Sequence, residues 1–94
     1  DWIEALSYAD FSKDDIKEII ISDEGYNDGD AWLLVAELND GNFGFLSAWC
    51  DYTGWDCQAG GFSETKPTLE ELQRWSMDSY ARRRLNMVLE DLDN

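Results

Sequence analysis

The twelve residues CDYTGWDCQAGG, Cys50 to Gly61, hold both cysteines of the chain together with Asp51, Asp56, two aromatics and three glycines. Zinc binding, dithiol exchange and a tight turn all draw on such a set. Zinc takes four tetrahedral ligands, and the chain has two cysteines and no histidine. A zinc site would therefore have to recruit Asp51 or Asp56, or a second subunit. Catalytic thiols favour the CxxC spacing at a helix start, whereas residues 51–56 intervene here. A disulfide is open geometrically if the strand doubles back, but a cytosolic compartment would keep it reduced. The remaining reading is a sheet corner. Cys50 closes a strand as a small buried residue, Tyr52, Thr53 and Gly54 turn the chain, and Trp55 opens a return strand toward Gly60 and Gly61. No metal and no cofactor is expected.

A second candidate is DEGYNDGD, Asp23 to Asp30, where acids and glycines crowd together as in a calcium loop. The register fails: placing Gly29 at the sixth position of an EF-hand-like loop puts Tyr26 at the third and Val35 at the twelfth, and neither supplies the carboxylate needed there. The segment reads as a solvated strand connection or, functionally, as an anionic docking loop. Catalysis finds no vocabulary. Without histidine there is no ordinary Ser/His or Cys/His pair, there is no glycine-rich phosphate loop, and no motif selects two of the 21 acids as a catalytic pair. The chain is expected not to be an enzyme. Arg82, Arg83 and Arg84 fan across different faces of a helix, so they are expected to pair with Asp78 or the acidic sheet edge, or to serve homo-oligomer contacts.

Charge is the strongest compositional signal, with 7 Lys plus Arg against 21 Asp plus Glu and a formal net charge of −14 in 94 residues. Positions 1–65 hold fifteen acids and two lysines, net −13; positions 66–94 hold six acids and five bases, net −1. Such a field repels nucleic acid and anionic lipid and draws in basic surfaces over about 8 Å at physiological ionic strength. Direct nucleic-acid binding is not expected, and neither is a membrane association, since no apolar run approaches the roughly 20 residues that span a bilayer. The chain shows no charged-then-apolar leader, and the expected compartment is the cytoplasm. It opens on Asp1 without a methionine, which points to an upstream residue or two.

The elements that must position these residues follow from periodicity. The length suits one domain, residues 1–94, and a hydrophobic fraction of 44% with 5 Trp, 4 Tyr and 4 Phe suits an aromatic core. AWLLVAELNDGNFGFLSAWC is two apolar runs around Asp40-Gly41, a hairpin with strands at about 31–39 and 42–50. A two-residue loop would set Leu38 opposite Phe43, Ala36 opposite Phe45, Leu34 opposite Ser47 and Trp32 opposite Trp49, leaving Leu33, Val35, Leu46, Ala48 and Cys50 on the other face. Both faces are apolar, so both need cover. Ile16 to Ser22 reads as a further strand, although SKDDIKEII also fits the start of a capped helix. Thr68 with Glu71 forms a capping box ahead of Leu69, Leu72 and Trp75. A second helix runs from about Ser79 to Leu92, capped by Asp78, with Ala81, Leu85, Val88, Leu89 and Leu92 as its apolar stripe. DWIEALSYADF is a short helix or ordered arm offering Trp2, Ile3, Leu6 and Phe11. The expected class is α+β: a small antiparallel sheet of three to four strands, a central hairpin at 31–50, two C-terminal helices and a short N-terminal helix or arm.

The run CDYTGWDCQAGG after an apolar strand, about residues 43–61, is similar to a segment of small proteins from bacteriophages and other mobile elements. Small acidic proteins of that origin often resemble inhibitors of host defence, including anti-CRISPR and anti-restriction proteins that imitate DNA; the resemblance implies action in a host-cell cytoplasm. Independently, Asp14, Asp15, Glu18, Asp23, Glu24, Asp28 and Asp30 crowd into positions 14–30 with only Lys17 opposing them. On a strand, alternate carboxylates lie roughly 6.5 to 7 Å apart, close enough to engage several Lys or Arg of a nucleic-acid channel. The expected partner is thus a basic protein with a nucleic-acid-binding surface. The alternative is an immunity or antitoxin-like protein that blocks one basic toxin through the aromatic anchors Tyr26, Tyr52 and Trp55. A third reading leaves the acidity to solubility alone.

Overall fold

The computed structural model describes residues 2–25, 31–55 and 57–93. The element order is α1 (Trp2–Leu6), a 3-10 turn (Lys13–Asp15), β1 (Ile16–Asp23), β2 (Trp32–Leu38), β3 (Phe43–Cys50), β4 (Ala59–Lys66), α2 (Leu69–Trp75) and α3 (Ser79–Asp93). The four strands form one antiparallel sheet in the order β1-β2-β3-β4, and the chain is α+β. Each strand lies beside its neighbour in sequence, as short hairpin connections dictate.

Both faces of the sheet are covered. On the helix face, Ile21, Leu33, Val35 and Phe45 pack against Leu72 of α2, Met77, and Ala81 and Leu85 of α3. On the arm face, Trp32, Leu34, Leu38, Leu46 and Ala48 pack against Ala5 of α1 and Phe11, with Trp2, Leu6 and Trp55 half-buried around them. Trp2 meets Trp32 edge to face, with centroids 5.2 Å apart at 83°. Two glycines seat the arm on the sheet. A Cβ on Gly44 would lie 2.5 Å from the Phe11 ring, and one on Gly61 would lie 2.7 Å from Tyr8, so both aromatics approach the backbone where a side chain would block them.

The β2–β3 hairpin differs from the sequence expectation by one residue. Val35 pairs with Phe45, Leu34 with Leu46 and Trp32 with Ala48. Leu38 N–H donates to the Asn42 carbonyl at 2.8 Å, and Gly41 N–H donates to the Leu38 carbonyl at 3.0 Å. The loop is therefore three residues, Asn39 to Gly41, with only Gly41 at positive φ (89°). An Asp-Gly pair suits this turn as well as a two-residue one, and it spares Asp40 a left-handed conformation. Because side chains alternate, the one-residue change sends Leu33 and Val35 to the same face as Phe45, and Leu34 to the same face as Leu46.

Other elements follow their local signals. Thr68 Oγ1 accepts the Glu71 N–H at 3.1 Å, and Asp78 Oδ1 accepts the Ala81 N–H at 2.8 Å, so both helices start on the expected caps. Residues 13–15 form only a 3-10 turn, since the β-branched run Ile19, Ile20 and Ile21 continues as strand. Ile3, expected to be available for docking, and Trp75 and Leu92, placed by their spacing on apolar stripes, are exposed, while α1 and α2 fully bury only Ala5 and Leu72. The return strand begins at Ala59 rather than Trp55. Asp51 N–H bonds the Gln58 carbonyl at 3.0 Å, and Gly54 N–H closes the turn on the Asp51 carbonyl at 3.0 Å. Among the described residues no helix is long and apolar enough to cross a membrane.

Candidate partner-binding surface

The acidic run of residues 14–24 does not form a ladder of carboxylates along one strand. Asp14 and Asp15 sit in the 3-10 turn, Glu18 lies near the start of β1, and Asp23 and Glu24 lie at its far end. Between Ile16 and Asp23 the strand spans roughly 23 Å at about 3.3 Å per residue. Two register shifts, between Ile16 and Glu18 and between Ile19 and Ile21, bend it further from a regular comb. Tyr26, Asp28 and Asp30 lie outside the described residues.

The remaining carboxylates differ in availability. Asp14 and Glu18 are exposed, while Lys17 reaches across to Glu37 at 3.4 Å. Asp15 Oδ2 accepts the Ser12 N–H at 2.9 Å and the Ser12 hydroxyl at 3.2 Å, which fixes the entry to β1. Asp23 is fully engaged: Arg84 Nε and a terminal nitrogen donate to its two oxygens at 2.7 and 2.9 Å, with the side chains 27% and 32% exposed. These hydrogen bonds hold the Asp23 carboxyl below its ordinary range against the opposing effect of burial, and they push Arg84 upward. One arginine of the triad thus clasps α3 to the end of β1, as the expected pairing with the sheet edge requires. Glu24 is exposed beyond it.

Of the aromatic candidates, Tyr52 is 86% exposed at the tip of the β3–β4 turn. Thr53 N–H donates to Asp51 Oδ1 at 2.9 Å there, and the Thr53 hydroxyl bonds the same oxygen, so the tip is held by its own side chains. Trp55 faces inward. Its ring lies 6.0 Å from Tyr8 and 6.4 Å from Trp32, and its indole N–H is buried without a partner among the described residues. The half-buried ring packs against the arm-face core. Cys50 is buried and Cys57 exposed with no disulfide between them, and no three His, Cys, Asp or Glu among the described residues are placed to hold a metal ion.

The fold assembles a feature that the sequence did not reveal. A cleft of about 280 Å³ at the β2–β3 loop end of the arm face is lined by Asp10, Phe11, Asp15, Leu38, Asn39, Asp40 and Thr65. Asp10, Asp15 and Asp40 come to its lining from three segments, beside Phe11 and Leu38. Asp40 is held by Asn42, whose N–H donates to its Oδ1 at 3.0 Å, and the Asp10 N–H is fixed by the Ser63 hydroxyl at 3.0 Å. Such a cleft suits the alkyl stem and charged head of a lysine or arginine. Two large apolar side chains are also exposed on the helix face near β4, Trp49 at 41% and Phe62 at 48%. No family model matches the chain, and searches of curated proteins and of solved structures find no match.

Proposed function

We propose that this chain is a small acidic inhibitor that binds a basic, nucleic-acid-handling host protein, such as a host-defence nuclease or CRISPR effector, by imitating nucleic-acid phosphates. The observation that carries this reading is the net charge of −14, of which −13 falls within positions 1–65. Asp14, Glu18 and Glu24 present exposed carboxylates, and Asp10, Asp15 and Asp40 add a cluster at the cleft. A basic channel built for a phosphate every few ångströms meets several of these at once, and long-range attraction speeds the encounter. The chain acts by binding, not by catalysis, in the cytoplasm of the host cell.

The second reading, an immunity-like blocker of one toxin, is favoured by the projecting Tyr52 and the exposed Trp49 and Phe62. Capture experiments in host lysate separate the two. Phosphate imitation expects several nucleases or DNA-binding proteins that are released together as salt rises and are displaced by duplex DNA. A single partner that survives high salt and ignores DNA would overturn it in favour of the anchored reading.

A further inference from the structure

The sheet has two edges, and only one is guarded. Natural sheets blunt an exposed edge with bulges, charges or cover, because unpaired N–H and C=O groups there accept a foreign strand. β1 carries two bulges, Lys17 and Glu18 along its length, and the Asp23–Arg84 clasp to α3 at its end. β4 has none of these in its first five residues, Ala59 to Ser63, and its eight residues pair with β3 without a single register shift, from Ala59 opposite Cys50 to Lys66 opposite Phe43.

The ladder also fixes which groups are open. Asp51 N–H bonds the Gln58 carbonyl, so by strict alternation the residues of β4 bonded to β3 are Gly60, Phe62, Glu64 and Lys66. The N–H and C=O groups of Ala59, Gly61, Ser63 and Thr65 point outward, and no described backbone group bonds them. The two faces beside this edge differ in chemistry. On the helix face Trp49 and Phe62 are about half exposed; on the arm face the cleft of Asp10, Asp15 and Asp40 opens at Thr65.

We infer that the β4 edge receives an extended, cationic segment of the partner as a fifth strand. Its backbone bonds Ala59, Gly61, Ser63 and Thr65, an apolar side chain lies on Trp49 and Phe62, and a lysine or arginine enters the carboxylate cleft beside Thr65. The assignment rests on the proposed reading insofar as the partner is basic. Charge selects this occupant over a second copy of the chain, because joining two such edges would bring together two bodies of −14 each.

The test uses the full chain and two synthetic octapeptides of alternating lysine and valine: one unmodified, and one of equal charge with its inner backbone amides N-methylated, which cannot complete a ladder. The strand-competent peptide is expected to bind about tenfold more tightly, the equivalent of roughly one or two added hydrogen bonds. It is expected to slow hydrogen exchange at the amides of Ala59, Gly61, Ser63 and Thr65, with Phe62 and Glu64 already protected. Phe62→Lys, shown folded by thermal melting, is expected to weaken binding of the strand-competent peptide, whose valine loses its apolar seat. Equal affinity for both peptides, or protection confined to residues 13–24, overturns the edge assignment while leaving the proposed function to stand or fall on its own lysate experiment. Protection at the β4 amides with failure in lysate would do the reverse.

Discussion

The two edge strands solve the same problem in opposite ways. β1 is β-branched and bulged, and it is tied by a bidentate ion pair to the longest helix. β4 begins AGGFS, is regular, and is held largely by what sits on its glycines: a Cβ on Gly60 would come within 3.1 Å of the Trp49 indole, and one on Gly61 within 2.7 Å of Tyr8. A strand with so little side chain of its own gains stability from neighbours' rings and leaves its backbone accessible. The acids of residues 10–24 and the accessible backbone of β4 therefore belong to different segments, and Asp10 and Asp15 line the cleft beside Thr65.

The greatest loss is expected from the packing that supports the β1 side. Leu85 is fully buried between α3 and the sheet, so Leu85→Ala is expected to cost about 2 to 5 kcal/mol in chemical denaturation. A loss no greater than about 0.5 kcal/mol, the range of ordinary surface substitutions, would show that α3 does not share the sheet's core. On the β4 side the matching change is Gly61→Ala. The added methyl meets Tyr8 at less than van der Waals distance, and the expected cost is about 1 to 3 kcal/mol. In the double variant with Tyr8→Gly, which removes the Cβ and Cγ that the methyl meets, most of that cost should disappear; persistence would place its origin in the strand backbone instead.

The clasp gives a smaller, pH-dependent effect. Arg84 lowers the Asp23 carboxyl from its ordinary 3.8, so the unfolded chain binds the proton more readily within the window below that value. Stability from the pair is therefore complete above about pH 4 and is lost as pH falls through the native value. Asp23→Asn is expected to cost about 1 to 2 kcal/mol at neutral pH and to remove that part of the acid sensitivity from thermal melts. Identical melting slopes below pH 4 in both proteins would show that the clasp carries no linkage. Smallest of the set, Thr68→Ala removes the α2 cap and is expected to cost roughly 1 kcal/mol without changing partner affinity.

Features whose cause is local were legible in the sequence. Thr68 with Glu71, Asp78 ahead of Ala81, and the alternation around Asp40-Gly41 each specify their element within a few residues. The hairpin register was not legible, because Asp-Gly fits both a two-residue turn and a three-residue loop, and the φ of Asp40 distinguishes them. The arginine triad illustrates a second limit. Consecutive helical residues point about 100° apart, and which of them meets Asp23 depends on how α3 crosses β1. The cleft was beyond reach for the same reason, since Asp10, Asp15, Asp40 and Thr65 are brought together only by the arm lying across the sheet. Trp55 reads as a strand opener and anchor from its neighbours, yet the space beside Trp32 and Tyr8 draws it inward.

If binding works through several exposed charges together, neutralising them as a set must weaken it far more than neutralising any one. The set is Asp10→Asn, Asp14→Asn, Glu18→Gln and Glu24→Gln, which spares Asp23 for its clasp, Asp15 for the Ser12 bond and Asp40 for the turn. Each contact between exposed charges is worth a few tenths to about 1 kcal/mol, so the four together are expected to weaken binding to a captured basic target on the order of 10- to 1000-fold at low salt. The gap should close at high salt, while Glu70→Gln, Glu71→Gln, Glu90→Gln and Asp91→Asn together leave affinity nearly unchanged. A folded N-terminal variant that binds as tightly as the parent, alongside a Tyr52→Ala variant that does not bind, would contradict phosphate imitation and leave the anchored reading in its place.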